Sequence, residues 1–133
     1  MAIDGLMTIR SSFGHRVTLD RFKAVVRANG LRVVADVDHA RAASATGNIS
    51  DSATVLMIGD GRRQVALMQA VRLIALELPF RVLIWESDGA AWLSYADFRW
   101  LARRYGVGVE HEYLVTELTV MYDGIVRKAA SPP

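Results

Sequence analysis

Asp36-Val37-Asp38-His39 sets two carboxylates and an imidazole within four positions. Alternate side chains of an extended strand share a face, so Asp36 and Asp38 point the same way and His39 follows at the strand end. Such a group can hold a divalent metal or move a proton, which makes Asp36, Asp38 and His39 candidate ligands. A plainer reading competes: Asp38 caps the helix that follows, and His39 hydrogen-bonds across the sheet.

Gly59-Asp60-Gly61-Arg62-Arg63 joins an apolar run to a helical pattern. Backbone N–H groups at such a junction can cradle an anion, so Gly59 and Asp60 are candidate ligand-binding positions. Gln64 stands where a dinucleotide fingerprint needs glycine, and the Asp60 charge opposes phosphate, so a plain turn competes here too. Glu86 closes an apolar strand and Glu77 precedes Leu78-Pro79; two carboxylates sharing a proton or a metal need to converge, and solvated or salt-bridged groups are the alternative. Tyr95 can point its hydroxyl into a polar pocket or serve as packing. His15 and His111 read as surface histidines. Ser87 and Ser94 lie in no nucleophile-elbow pattern.

The elements that must position these residues follow from periodicity. Leu6 to Ser11 reads as a short strand. Thr18 is a fair N-cap for a helix carrying Leu19, Phe22, Val25 and Val26 on one face, ended by Asn29-Gly30. Leu31 to Asp38 is a β-branched strand and Ala40 to Ala45 a short helix. Thr54 to Ile58 is an apolar interior strand. Leu67, Val71, Ile74 and Leu78 recur at helical spacing until Pro79. Asp88-Gly89 between two strand-like runs predicts a tight hairpin with Trp85 opposite Trp92. Asp97 caps a helix bearing Phe98, Leu101, Ala102 and Tyr105. A last helix, roughly 110 to 128, lines up Leu114, Leu118, Met121 and Ile125. Residues 1–5 and 129–133 are expected to fray. The result is one α+β domain over 1–133, with a single mixed or mainly antiparallel sheet of about five strands and helices packed on it.

The hairpin is apolar on both sides. Phe80, Val82, Ile84, Leu93 and Tyr95 share one face; Leu83, Trp85 and Trp92 share the other. An antiparallel sheet covered once should alternate apolar with polar. Either helices cover both faces, or helices cover one and a second copy covers the other; the commonness of two-fold dimers favours a homodimer.

Composition narrows the function classes. The chain has 133 residues, 52% of them hydrophobic and 23% charged, which suits one domain with a real core and not a disordered chain. It lacks cysteine, which removes disulfides, thiolate metal sites and cysteine nucleophiles. The net charge is +2 with arginines scattered and no basic stripe, so no nucleic-acid partner is expected. The longest apolar stretch, 65 to 80, is broken by Gln69, Arg72 and Glu77, and no signal-peptide pattern opens the chain, so no membrane partner and a cytoplasmic location are expected. No residue pattern calls for a cofactor.

The segments Gly30-Leu31, Val37-Asp38-His39-Ala40, Val55-Leu56-Met57-Ile58-Gly59 and Leu67-Met68-Gln69-Ala70 recur in a known order with Leu76-Glu77-Leu78-Pro79, Val82-Leu83-Ile84-Trp85-Glu86, Trp92-Leu93-Ser94-Tyr95 and Leu101-Ala102-Arg103-Arg104. In these the chain, from about Leu6 to Gly106, resembles the domain of unknown function 302 family of small bacterial and archaeal proteins. The resemblance implies a β-α-β4-α fold with extra helices, commonly dimeric, and no established activity. The chain departs from the family pattern at Gly59-Asp60-Gly61, where Gly-Asn-Pro is usual, and at Asp97-Phe98, where Asp-Pro is usual. The expected function is a homodimeric, non-enzymatic module binding a small molecule, an anion or a partner. A metal-assisted or acid–base enzyme centred on Asp38 and His39, with Glu86, is the alternative.

Overall fold

The computed structural model describes residues 2–48 and 50–133. Strand β1 (Leu6–Arg10) leads into helix α1 (His15–Ala28), then β2 (Arg32–Asp38), α2 (His39–Ala45), β3 (Ala53–Gly59) and α3 (Gly61–Ala70). A 3-10 helix (Arg72–Glu77) precedes the hairpin strands β4 (Phe80–Ser87) and β5 (Ala90–Ala96). Helix α4 (Phe98–Arg104), a single 3-10 turn (Val109–His111) and α5 (Glu112–Ala130) complete the chain. One five-stranded sheet runs in the order β1-β5-β4-β3-β2, with every pair antiparallel. This is the β-α-β4-α plan with added helices.

The hairpin forms where turn chemistry demands it. Asp88 and Gly89 both take positive φ, 52° and 76°, and bring the strands back with the twist that paired strands need. Trp85 stands opposite Trp92, with ring centroids 6.0 Å apart.

The core lies between the sheet and helices α1, α3, α4 and α5. Leu56, Ile58, Val82, Ile84 and Leu93 from one sheet face are fully buried with Phe22 and Val26 of α1 and Leu118 and Val126 of α5. Phe80 stacks on Tyr122 at 4.1 Å and on Phe98 at 5.4 Å, tying β4 to α5 and α4. Burying side chains of this size contributes about 1.5–3 kcal/mol each.

The other face is bare of core packing among the described residues. Leu6, Val37, Val55, Met57, Leu83, Trp85 and Trp92 alternate onto it, and none belongs to the core or packs against it. Leu6 and Val37 are 41% and 42% exposed. At one end of this face Phe98 and Leu101 of α4 line a cleft together with Leu6, Val55, Leu83 and Ala96. Among the described residues the core-forming helices α1, α3, α4 and α5 pack on the opposite face, while Leu83, Trp85 and Trp92 stay half-buried around an open groove.

Three local expectations differ from the structure. Helix α1 starts at His15 with Gly14 as its N-cap; Thr18 is buried inside it, its hydroxyl donating to the Gly14 carbonyl at 2.8 Å and meeting Ser11 Oγ at 2.7 Å. The run from Leu67 to Leu78 is no single helix: Val71 is extended and separates α3 from the 3-10 helix, leaving Leu67 and Ile74 buried but Leu73 and Leu76 in solvent. The expected C-terminal fray at 129–133 does not begin where predicted, because Ala129 and Ala130 are buried and Arg21 donates to the carbonyls of Lys128, Ala129 and Ser131. Among the described residues no helix is long and apolar enough to cross a membrane.

Candidate functional site

The strand-end candidates do not converge. Asp38 caps α2, accepting the Arg41 N–H at 2.9 Å. His39 is the exposed first residue of that helix, and Asp36 lies 3.9 Å from Lys23 Nζ on the edge strand. Among the described residues no three carboxylate or histidine groups assemble into a metal cluster. The bond from His39 across the sheet is absent from the described contacts; His15, opening α1, is the histidine that reaches the sheet, its Nε2 standing 3.3 Å from the Ile84 carbonyl of β4. His15 is thus half-buried and is not the surface residue its sequence context suggested.

Glu77 closes the 3-10 helix ahead of β4 and Glu86 stands near that strand's far end, with the stretch from Phe80 to Glu86 alone spanning roughly 20 Å. Glu77 accepts from the Tyr105 hydroxyl at 2.9 Å and from Arg81 at 3.3 Å. Glu86 stays half-exposed, its backbone N–H donating to the Ser52 carbonyl.

At the β3–α3 junction, a Cβ on Gly59 would stand 2.7 Å from Val34 Cγ1, so a larger residue there makes the exposed Val34 side chain shift. Asp60 is buried at the N-terminus of α3 and faces Arg63 at 3.3 Å, while Arg63 also reaches Glu117 at 2.7 Å. Its carboxylate already occupies the end of the helix that favours negative charge. Behind it, the Gln64 amide donates to the Ile58 carbonyl at 2.9 Å and to the Tyr122 hydroxyl at 3.0 Å. Burial, partly offset by the Gln64 hydrogen bond, pushes the Tyr122 phenol well above its ordinary range. This network ties α3 to α5.

Tyr95 is the candidate that acquires a setting. Strand alternation turns it toward the helices, and its hydroxyl donates to Asp123 Oδ1 on α5. Asp123 Oδ2 accepts from Arg127 Nε at 2.9 Å, one helical turn on. Across the gap, Asp97 Oδ1 caps α4 through the Arg99 N–H at 2.9 Å and takes the Arg99 side chain at 3.3 Å. These groups, with Met7, Phe98 and Thr119, line a cleft of about 250 Å³. Burial opposes ionisation of Asp123, but the Tyr95 hydroxyl and the Arg127 guanidinium outweigh it and hold the carboxyl below its usual range. Burial, then the Asp123 bond and charge, raise the Tyr95 phenol far above its own. A phenol so held is a hydrogen-bond donor and no base. Asp123, Arg127 and Arg99 escaped the sequence reading because a carboxylate and an arginine four apart on a helix look like an ordinary surface pair.

A third surface is the bare sheet face, where Ile3, Leu6, Leu83, Trp85 and Trp92 border an open groove of about 500 Å³. Three of its polar groups pair within it: Trp85 Nε1 donates to Ser94 Oγ at 2.9 Å, and Ser94 meets Thr8 Oγ1 at 2.9 Å.

The family model described as "Domain of unknown function DUF302" matches residues 7–127. The chain belongs to the DUF302 family. The DUF302 fold seen here is also that of the crystal structure of the uncharacterized conserved protein DUF302 from Bacillus stearothermophilus, with a TM-score of 0.85 over 96% of this chain and 99% of that one. Identity is only 12%, so this likeness concerns the fold alone. Among curated proteins, this DUF302 domain is 32% identical over 128 residues to the fluoride-specific ion channel FluC 1 of Brucella suis biovar 1 (strain 1330), spanning 96% of this chain and 50% of that protein. The fluoride-specific ion channel FluC 2 of Brucella melitensis biotype 1 matches at 32% over 128 residues, with 47% of its length spanned. The chain thus spans about half the length of the curated relatives it matches.

Proposed function

We propose that this DUF302 domain is a non-enzymatic binding module that works as a homodimer, with a second copy seated on the bare sheet face. The observation that carries the reading is that face itself. Five strands about 4.8 Å apart, some seven residues long, make a plane of roughly 500 Å², before the relief of the side chains is counted. The largest apolar patch on a monomer is about 300–600 Å² and is often functional, and a stable interface takes about 800 Å² per partner. With its hydroxyls and the Trp85 indole N–H already paired, the face suits a largely apolar surface, and the same face of a second copy has that character. Two of its arginines are engaged within the chain: Arg10 lies over the Trp92 ring at 5.7 Å, and Arg81 pairs with Glu77. A two-fold pairing would lay sheet on sheet about 10 Å apart with the tryptophans near the centre.

The Brucella relatives carry the matching stretch within chains about twice as long that are named as fluoride-specific ion channels. A self-pairing module of this kind would bring two attached units together.

Sedimentation analysis across a concentration series tests the reading. The unmodified protein is expected to run as a dimer at micromolar concentration. Trp85→Glu and Leu83→Glu should give folded monomers, while Val17→Glu, on the exposed side of α1, should leave the dimer intact. A wild-type monomer at all concentrations sinks the proposal.

A further inference from the structure

The hydrogen-bonding capacity of the Tyr95 cleft is unevenly spent. Both oxygens of Asp123 are taken, one by Tyr95 and one by Arg127 Nε. Asp97 is taken by the Arg99 backbone and side chain. Lone pairs remain on these oxygens, but the groups with no partner at all are donors. Among the described residues, neither Nη of Arg127 nor Nη1 of Arg99 has a hydrogen-bond partner, and both side chains are more than half exposed at the cleft. Asp123 holds Arg127 by Nε and leaves both its Nη atoms as a free fork at the cleft, and Asp97 holds Arg99 and leaves Nη1 beside it. A fork so held matches the planar or tripodal oxygens of an oxyanion in two-point contact. The wall beside them is apolar, formed by half-buried Met7 and by buried Phe98.

We propose that this cleft binds a small organic acid, with its oxyanion head on Arg99 and Arg127 and its apolar body against Met7 and Phe98. The size agrees: at about 250 Å³ the cleft lies below the roughly 300–1,000 Å³ of sites for drug-sized ligands. Asp123 is a positioning residue here, since it acts through Arg127. The site lies on the helix side of the sheet, away from the bare face, so the proposal stands or falls separately from self-association.

The test is a two-dimensional NMR titration at constant ionic strength with four probes: benzoate, phenyl phosphate, inorganic phosphate and benzylamine. Benzoate or phenyl phosphate is expected to shift the amides of residues 97–99 and 119–127 saturably, and the tighter of the two identifies the head group. Inorganic phosphate should bind at least tenfold more weakly than phenyl phosphate, and benzylamine not at all. Arg99→Gln combined with Arg127→Gln should weaken binding at least tenfold, each single change by less, and Arg16→Gln should leave it unchanged. The proposal is overturned if neither aromatic anion saturates, if inorganic phosphate or benzylamine binds as well, or if the double variant binds like the wild type.

Discussion

The two faces of the sheet are built from the same kinds of residue and meet opposite fates. Val82, Ile84 and Leu93 are fully buried under α1 and α5, while Leu83, Trp85 and Trp92, interleaved with them along the same strands, face an open groove. Apolar character alone therefore does not decide where a helix packs. What separates the faces is where the long helices fall: α1 joins β1 to β2 and α5 follows β5, and both bury their apolar stripes on the covered side, while the short α2 of the β2–β3 link has no buried residue.

The sharpest way to break this contrast is to truncate one residue on each side. Phe22→Ala, beneath the covered face, should cost about 3–5 kcal/mol in urea unfolding, whereas Leu83→Ala should cost the isolated monomer less than about 1 kcal/mol. Equal losses would mean that the bare face is not bare. The second effect is linkage: if copies pair through that face, the melting temperature should rise with protein concentration, and Trp85→Glu should remove the dependence.

Smaller effects probe the helix side alone. Tyr122→Phe takes the hydroxyl that the Gln64 amide donates to and should cost about 1 kcal/mol by chemical denaturation, since the amide keeps the Ile58 carbonyl. Asp38→Ala removes a cap and should cost about 0.5–2 kcal/mol, with no change in zinc binding by calorimetry if capping is the whole of its role. The least effect concerns pH. The Asp123 carboxyl is held below its ordinary range in the folded state, so its contribution is present above the unfolded pKa and is lost as pH falls through the lower folded value. Acid melts should therefore show a shallower decline in Asp123→Asn than in the wild type.

Legibility in the sequence followed the range of the interaction. The Asp88-Gly89 hairpin, the Asp38 and Asp97 caps and the alternation of β4 and β5 were all readable, because each depends on residues within a few positions. The start of α1 was misplaced at Thr18, whose hydroxyl is satisfied by Ser11, a residue outside the helix. The break at Val71 was hidden because Leu67, Val71, Ile74 and Leu78 keep helical spacing whether or not the backbone does. The tail was expected to fray because small residues and prolines carry no local signal of the contact that Arg21 makes with it across 107 to 110 positions.

By itself the sequence determined the periods: which stretches extend, where they turn, and that the central strands carry apolar side chains on both sides. Only the tertiary structure decided which of those sides the helices took, and that Tyr95 meets Asp123 while Asp36, Asp38 and His39 stay apart. Backbone period and turn chemistry act between near neighbours and are written in consecutive residues. A pairing such as Tyr95 with Asp123 spans 28 positions and exists only once α4 and α5 have folded back onto the sheet.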